Sequence, residues 1–322
     1  MSKKVLVTGN AGFIGSSLTK RLLELNYKVT GIDNFNDYYD PQRKEKNIAE
    51  FQNNKNFTQE RADILDKEKQ ELILAQTKPE IVIHLAARAG FRPSLKNPKL
   101  YYQVNVQGTK NLLELAKKYS VKQFIQASSS SVYGNQTKIP FSEEDKLAKP
   151  VSPYAKTKLK AEALCREYSF PITVLRFFTV YGPKGRPDMA PYLFTKRILE
   201  GKTIIRFGDG SSSRDYTYIE DIVEGIIKAI DHPLAYEIIN LGNNQPVKLN
   251  DFISVVEKIT KRKAKIMEKP RHPADVPRTY ADITKAKNLL NWQPKTDLET
   301  GMRRFIEWYL RQEPSRTDLE GL

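Results

Sequence analysis

Tyr154 and Lys158 lie four positions apart in Ser152-Pro153-Tyr154-Ala155-Lys156-Thr157-Lys158. A helix opened by Ser152 and Pro153 would put both side chains on one face. A free phenol ionises near pH ~10, too high for a base at neutral pH. A neighbouring ammonium favours the phenolate and lowers that value, so the pair suits removal of a proton from an alcohol whose carbon gives up hydride. Upstream, Ala127-Ser128-Ser129-Ser130-Ser131-Val132-Tyr133-Gly134 follows a predicted strand at 122–127. A serine there can bond the same alcohol and relay its proton. Tyr-x-x-x-Lys is a common chance spacing on helices, and its weight here comes from what precedes it.

What precedes it is Val5-Leu6-Val7-Thr8-Gly9-Asn10-Ala11-Gly12-Phe13-Ile14-Gly15. A short apolar strand runs into three glycines, and Phe13, Ile14, Leu18, Leu22 and Leu25 then fit one helix face. Strand, glycine turn and helix open a dinucleotide-binding unit. Gly9, Gly12 and Gly15 let backbone amides at Phe13 and Ile14 approach a pyrophosphate at the helix N-terminus. The second strand is predicted at Lys28–Asp33, where Asp33 can take both ribose hydroxyls of an adenosine and repel a 2′-phosphate, so NAD is the expected cofactor. Asn34 opens a polar, aromatic loop beside that ribose. Another strand ends at Ala62-Asp63-Ile64, with Asp63 placed to accept from the adenine amino group. The strand at 81–87 ends in His84-Leu85-Ala86-Ala87, whose small residues allow close passage of a cofactor. His84 sits in an apolar run and is read as a core histidine.

A long helix is expected over 95–119, with Asn105 in its middle supporting the cofactor pocket. The alternation predicts an α/β fold, a Rossmann-type doubly wound parallel sheet with its site at the strands' carboxyl ends. Residues 1–180, joined by parts of 213–242, are expected to form the NAD-binding domain, and 181–322 a smaller α/β substrate lobe. In that lobe strand-like runs at 203–207 and 237–241 flank a helix at 220–230, and Asn250 is expected to cap a further helix.

The formal net charge of +15 is spread along the chain among acidic residues, which fits a small anionic ligand better than nucleic acid. No apolar run is long enough to span a bilayer. A single cysteine, Cys165, permits no internal disulfide and fits a reducing cytoplasm. No metal site is expected.

Together, residues 8–15, Asp33, Asp63, His84-Leu85-Ala86-Ala87, the serine cluster and Tyr154/Lys158 resemble an extended short-chain dehydrogenase/reductase, over most of the chain up to Trp308. Within it, Gly31-Ile32-Asp33-Asn34-Phe35-Asn36-Asp37-Tyr38-Tyr39-Asp40 and Arg176-Phe177-Phe178-Thr179-Val180-Tyr181-Gly182-Pro183 are similar to the UDP-glucuronate 4-epimerases. The resemblance implies Ser129, Tyr154 and Lys158 as catalytic residues, Ser129 being four before the tyrosine of Val-Tyr-Gly. It implies Phe177 beside the cofactor, Ser130, Ser131 and Phe178 beside the sugar, and Thr179 with Arg186 on a uronate carboxylate. Two roles stay open for Arg186, a carboxylate fork or a loop charge paired with Asp188.

Phe207, Arg214 and Tyr216 match the UDP-binding segment, with Arg214 on the diphosphate and Asp275 on the uridine ribose. Arg88, Arg92 and Arg271 are further phosphate candidates. Related dehydratases and decarboxylases carry an acidic residue before Val-Tyr-Gly where this chain has Ser130-Ser131, which disfavours elimination and decarboxylation. UDP-galactose 4-epimerases usually carry asparagine where Thr179 stands. The expected reaction is NAD-dependent C4 epimerisation of UDP-glucuronate, with UDP-glucose/UDP-galactose or N-acetylhexosamine epimerisation as the alternative. An NAD-binding regulator without activity would be a different class. The family also implies a homodimer built on the helices at 99–119 and 154–168.

Overall fold

The structure, a computed structural model, describes residues 2–271 and 275–312. His272, Pro273, Ala274 and the polar tail from residue 313 lie outside the described residues. Among the described residues twelve strands form in chain order. They are β1 (Lys4–Thr8), β2 (Lys28–Asp33), β3 (Phe57–Arg61), β4 (Ile81–His84), β5 (Gln123–Ser129), β6 (Ile172–Phe177), β7 (Thr179–Tyr181), β8 (Ile204–Phe207), β9 (Ser213–Tyr218), β10 (Tyr236–Leu241), β11 (Pro246–Lys248) and β12 (Ile266–Lys269). The helices are α1 (Phe13–Glu24), α2 (Pro41–Ala49), α3 (Lys67–Thr77), α4 (Phe91–Lys96), α5 (Pro98–Tyr102), α6 (Gly108–Lys118), α7 (Pro153–Cys165), α8 (Ala190–Leu199), α9 (Ile219–Asp231), α10 (Leu249–Thr260), α11 (Thr284–Leu290) and α12 (Leu298–Gln312).

Seven strands pair all-parallel in the order β10-β6-β5-β4-β1-β2-β3. Runs such as Val5-Leu6-Val7 and Ile81-Val82-Ile83 are buried on both faces, as a sheet covered by helices on each side requires. Alternate residues feed different layers: Val5 and Val7 join one core cluster, Leu6 the other. The first of these clusters runs on through Tyr181 and Tyr218 to Tyr309 in α12, so both ends of the chain share one apolar core. The strand order reverses between β1 and β4, which opens a crevice at their carboxyl ends. Two small sheets, β11-β9-β7 and β12-β8, complete the fold.

Three local expectations change. The helix expected over 95–119 is broken. Asn97 ends α4 and caps α5 by accepting from Leu100 N (3.1 Å), Pro98 opens α5, and a π-turn at Gln103–Gln107 precedes α6. The strand expected over 81–87 stops at His84, and the chain then turns along the crevice. Asn250 is not an N-cap: α10 starts two residues earlier, with Lys248 at the cap position. The Asn250 carboxamide instead donates to Asp209 O (3.0 Å) and accepts from Arg206 (2.9 Å), tying α10 to the turn after β8.

Candidate active site

The glycine turn is held by Gly9 N donating to Ile32 O (2.7 Å) and Gly12 N donating to Gly9 O (3.1 Å). Gly9 has φ +72, and an added Cβ would sit 2.8 Å from Ala86 N. At Gly15 a Cβ would meet Gly9 O at 2.0 Å. Both positions therefore demand glycine. Gly12 caps α1 with no side-chain partner, which leaves the amides of the first turn open at the positive end of the helix. Asp33 Oδ1 accepts from Phe35 N (2.8 Å) and from Lys44 Nζ (3.2 Å), while Oδ2 has no partner among the described residues. Asp63 accepts from Asn34 Nδ2 (2.8 Å), bringing those two side chains together on the cavity wall. An open amide cluster and a half-free carboxylate where an adenosine ribose would lie are the donor set a dinucleotide needs, so these residues fit NAD.

One cavity of about 730 Å³ joins these groups to the chemistry-bearing residues. Gly9, Gly12, Phe13, Ile14, Gly15, Asp33, Asn34, Asp63, Ile64, Leu85, Ala86, Ala87 and Phe177 line its cofactor end. Ser129, Ser130, Tyr154, Lys158, Phe178, Thr179, Arg186, Arg214 and Asp275 line the rest, with Arg88 and Arg92. Asn105, Ser131, Phe207 and Tyr216 stand behind it. Asn105 accepts from Arg88 N (2.8 Å) and donates to Arg88 O (2.9 Å) and Thr157 Oγ1 (3.0 Å), bracing the wall. Ser131 turns its hydroxyl into the protein and presents its amide to Ser129 Oγ (3.2 Å). Phe207 lies under the Arg92 guanidinium (4.1 Å), and Tyr216 stacks on Phe252 (4.8 Å between ring centroids).

The helix expected to carry the base is α7. Ser152 caps it by accepting from Ala155 N (3.1 Å), and Pro153 takes its first position. Ser129 and Tyr154 both line the cavity, and the serine hydroxyl is among the groups acting on the phenol. Ser128, although on the cavity wall, has its hydroxyl committed to Glu162, which leaves Ser129 as the strand-end serine with its hydroxyl open to the cavity. Burial raises the Tyr154 phenol above its ordinary value; the nearby Ser129 hydroxyl and the Arg186 guanidinium pull the other way. Lys158 aims its ammonium at Ala127 O (2.9 Å). Burial lowers Lys158 to about 8. His84 is a core histidine: its two ring nitrogens meet Thr8 Oγ1 (2.7 Å) and Thr109 Oγ1 (3.1 Å), and burial lowers it to about 3.

At the far end, Arg186 forks onto Asp188 through Nε (3.0 Å) and Nη2 (2.7 Å), and Nη2 also reaches Tyr38 Oη (3.5 Å). Arg186 is thus paired with Asp188 and also lines the cavity. Arg214 lines the cavity with its own charge disfavoured by burial. Arg92 approaches Asp275 (3.8 Å), and Arg271 donates to the Asp275 carbonyl (2.9 Å) without lining the cavity.

Three functional contributors were not singled out from sequence. Lys44 is buried and bonded to Asp33; its signal was a shared face with Asn47 and Ile48 on an otherwise polar α2. Tyr38 bridges Ala89 O (2.8 Å) and Arg186 across the crevice. Glu162, one turn below Lys158, is forked by Arg176 Nε (3.0 Å) and Nη2 (2.8 Å) inside the core. A charge inside the apolar strand Ile-Thr-Val-Leu-Arg-Phe was the available sign.

The fold and this cavity define an extended short-chain dehydrogenase/reductase. The family model described as GDP-mannose 4,6 dehydratase matches residues 6–305, and the chain belongs to that family. Among its relatives, the UDP-glucuronate 4-epimerase of Thermodesulfobacterium geofontis is 46% identical over 308 residues, covering 94% of this chain and 95% of that protein. The crystal structure of the Bacillus cereus UDP-glucuronic acid 4-epimerase with UDP-glucuronic acid and NAD superposes with a TM-score of 0.90 at 38% identity, covering 96% of this chain and 99% of that one. The UDP-glucose 4-epimerase of Thermotoga maritima, solved with UDP-glucose, gives 0.89 at 33% identity, with coverages of 96% and 99%.

Proposed function

We propose that the chain is an NAD-dependent UDP-sugar 4-epimerase that interconverts UDP-glucuronate and UDP-galacturonate. The observation that carries this is the single cavity in which the glycine turn, the Ser129–Tyr154 pair and the Thr179/Arg186 wall meet. Bound NAD supplies a hydride acceptor that becomes the donor in the second half of the cycle. Tyr154 takes the proton of the 4-hydroxyl as C4 is oxidised, and Ser129 bonds the same oxygen. The 4-keto sugar turns over in the cavity. Tyr154 then returns the proton when C4 is reduced on its other face, so protons and electrons balance over the cycle. Lys158 holds the nicotinamide ribose and keeps a cation near the phenolate. Arg214, with Arg88 and Arg92 nearby, receives the diphosphate, and Asp275 the uridine ribose.

A 4-keto uronate is a β-keto acid and loses carbon dioxide when its carboxylate bond aligns with the carbonyl π system. Thr179 and the Arg186 fork hold that carboxylate out of alignment. Ser130 and Ser131 in place of an acid also support epimerisation over decarboxylation. A second substrate, UDP-glucose, is supported by one contact: Asp188 already satisfies Arg186 when no substrate carboxylate is present. Residues 1–180 with the returning β10 serve the cofactor, and 181–322 the UDP-sugar. A homodimer is supported by exposed Leu95 and Tyr102 near α6 and α7, and a cytoplasmic setting by the lone buried Cys165. The test is Arg186→Ala. Losing a charge-assisted fork should cut kcat/KM for UDP-glucuronate about 100-fold, with a much smaller loss for UDP-glucose. Equal losses would remove Arg186 from carboxylate recognition.

A further inference from the structure

Arg186 sits on the loop 182–189 between β7 and α8, and the most constrained residue of that loop is Lys184. It has φ +67, a left-handed conformation that costs a side-chain-bearing residue energy. The turn around it is tight, with Gly185 N donating to Gly182 O (3.0 Å). Its side chain is mostly buried and reaches a different part of the molecule. Nζ donates to Asn47 O (3.0 Å) and to Glu50 Oε1 (2.6 Å) at the carboxyl end of α2. The Asn47 carbonyl is one of the last-turn acceptors, because Phe51 N goes to Ile48 O instead. An ammonium at that end also opposes the negative pole of the helix.

The same short helix holds the cofactor end. Lys44 bonds Asp33, and Asn47 Nδ2 donates to Ala11 O (3.0 Å) inside the glycine turn. Glu50 also accepts from Lys20 on α1 (2.7 Å). On the other side of the loop, Arg186 is steadied by Asp188 and Tyr38. Both of those partners line the cavity, whereas Lys184 lies outside it and ties the loop to α2 through its ammonium.

We propose that Lys184 is a positioning residue: its ammonium straps the loop carrying Arg186 to the end of α2, setting the guanidinium in register with the glycine turn and Asp33. This rests on the assignment of Arg186 to a substrate carboxylate. The strain at Lys184 is sustained by the strap, and the strap makes carboxylate recognition depend on a residue that does not line the cavity.

Wild type, Lys184→Met, Lys184→Arg and Glu50→Gln are compared, each with its bound NAD. The readouts are KM and kcat for UDP-glucuronate, the inhibition constant of UDP-glucose as a competing ligand, and deuterium exchange over residues 182–189 without sugar nucleotide. Lys184→Met should raise KM for UDP-glucuronate about tenfold, from loss of a charge-assisted tie. The UDP-glucose constant should stay within about twofold and exchange in the loop should speed up. Lys184→Arg, which can donate to the same acceptors, should restore KM. Glu50→Gln, a surface change that preserves folding, should give a smaller rise and faster exchange. Equal shifts for both ligands, or unchanged exchange in the Met and Gln variants, would overturn the strap. Absence of UDP-glucuronate turnover in wild type would refute the substrate assignment alone, and the exchange measurement would then decide the strap by itself.

Discussion

Lys158→Met should make the folded protein more stable at neutral pH while destroying its turnover. Lys158 is 5% exposed, and its ammonium donates to Ala127 O (2.9 Å). The nearest buried carboxylate, Glu162, raises the lysine only in part, being already forked by Arg176. Burial therefore dominates and holds Lys158 at about 8 against an ordinary 10.5. That gap corresponds to roughly 3 kcal/mol of lost folding stability. The folded value lies below the unfolded one, so the unfolded chain binds the proton more tightly. The cost is fully present below about pH 8 and is relieved as pH rises toward 10.5. Methionine removes the charge but leaves Ala127 O without its donor, a loss of about 1 kcal/mol. The net gain is ~2 kcal/mol near neutrality, vanishing at high pH. Urea unfolding of NAD-free wild type and variant, near pH 7 and near pH 10, measures it. A variant no more stable than wild type near pH 7, or an advantage that does not shrink with pH, would refute the reasoning.

Tyr154→Phe should lower kcat by about 10²–10⁴ with the NAD content of the purified protein unchanged, because the phenol is the proton carrier and not the main cofactor anchor. Wild-type turnover in that variant would contradict the assignment. Asp33→Asn leaves Lys44 unopposed at the adenosine ribose, so the preference for NAD over NADP should fall about tenfold in fluorescence titrations. An unaltered preference would mean Asp33 does not face the ribose hydroxyls.

Much of the site was legible because its determinants are local. Residues 5–15 encode strand, turn and helix in one continuous stretch, and the close approaches at Gly9 and Gly15 follow from the backbone alone. Ser152 and Pro153 announce the start of α7, and with it the shared face of Tyr154 and Lys158. What stayed hidden depends on partners far apart in sequence. Arg186 meets Tyr38 148 residues away, and Lys184 reaches Asn47 and Glu50 across 137 and 134. No periodicity carries such pairings. Little in the sequence marks Lys44 out on so polar a helix as α2, yet Asp33 gives its ammonium a buried partner.

The central claim is C4 epimerisation of a uronate with resident NAD. The most direct measurement is an NMR-followed incubation of the purified protein, with no cofactor added, with UDP-glucuronate and UDP-glucose in parallel. The account predicts UDP-galacturonate, formed much faster than UDP-galactose and with no UDP-pentose. Faster UDP-galactose formation would contradict the carboxylate wall, and a UDP-pentose product would contradict epimerisation itself.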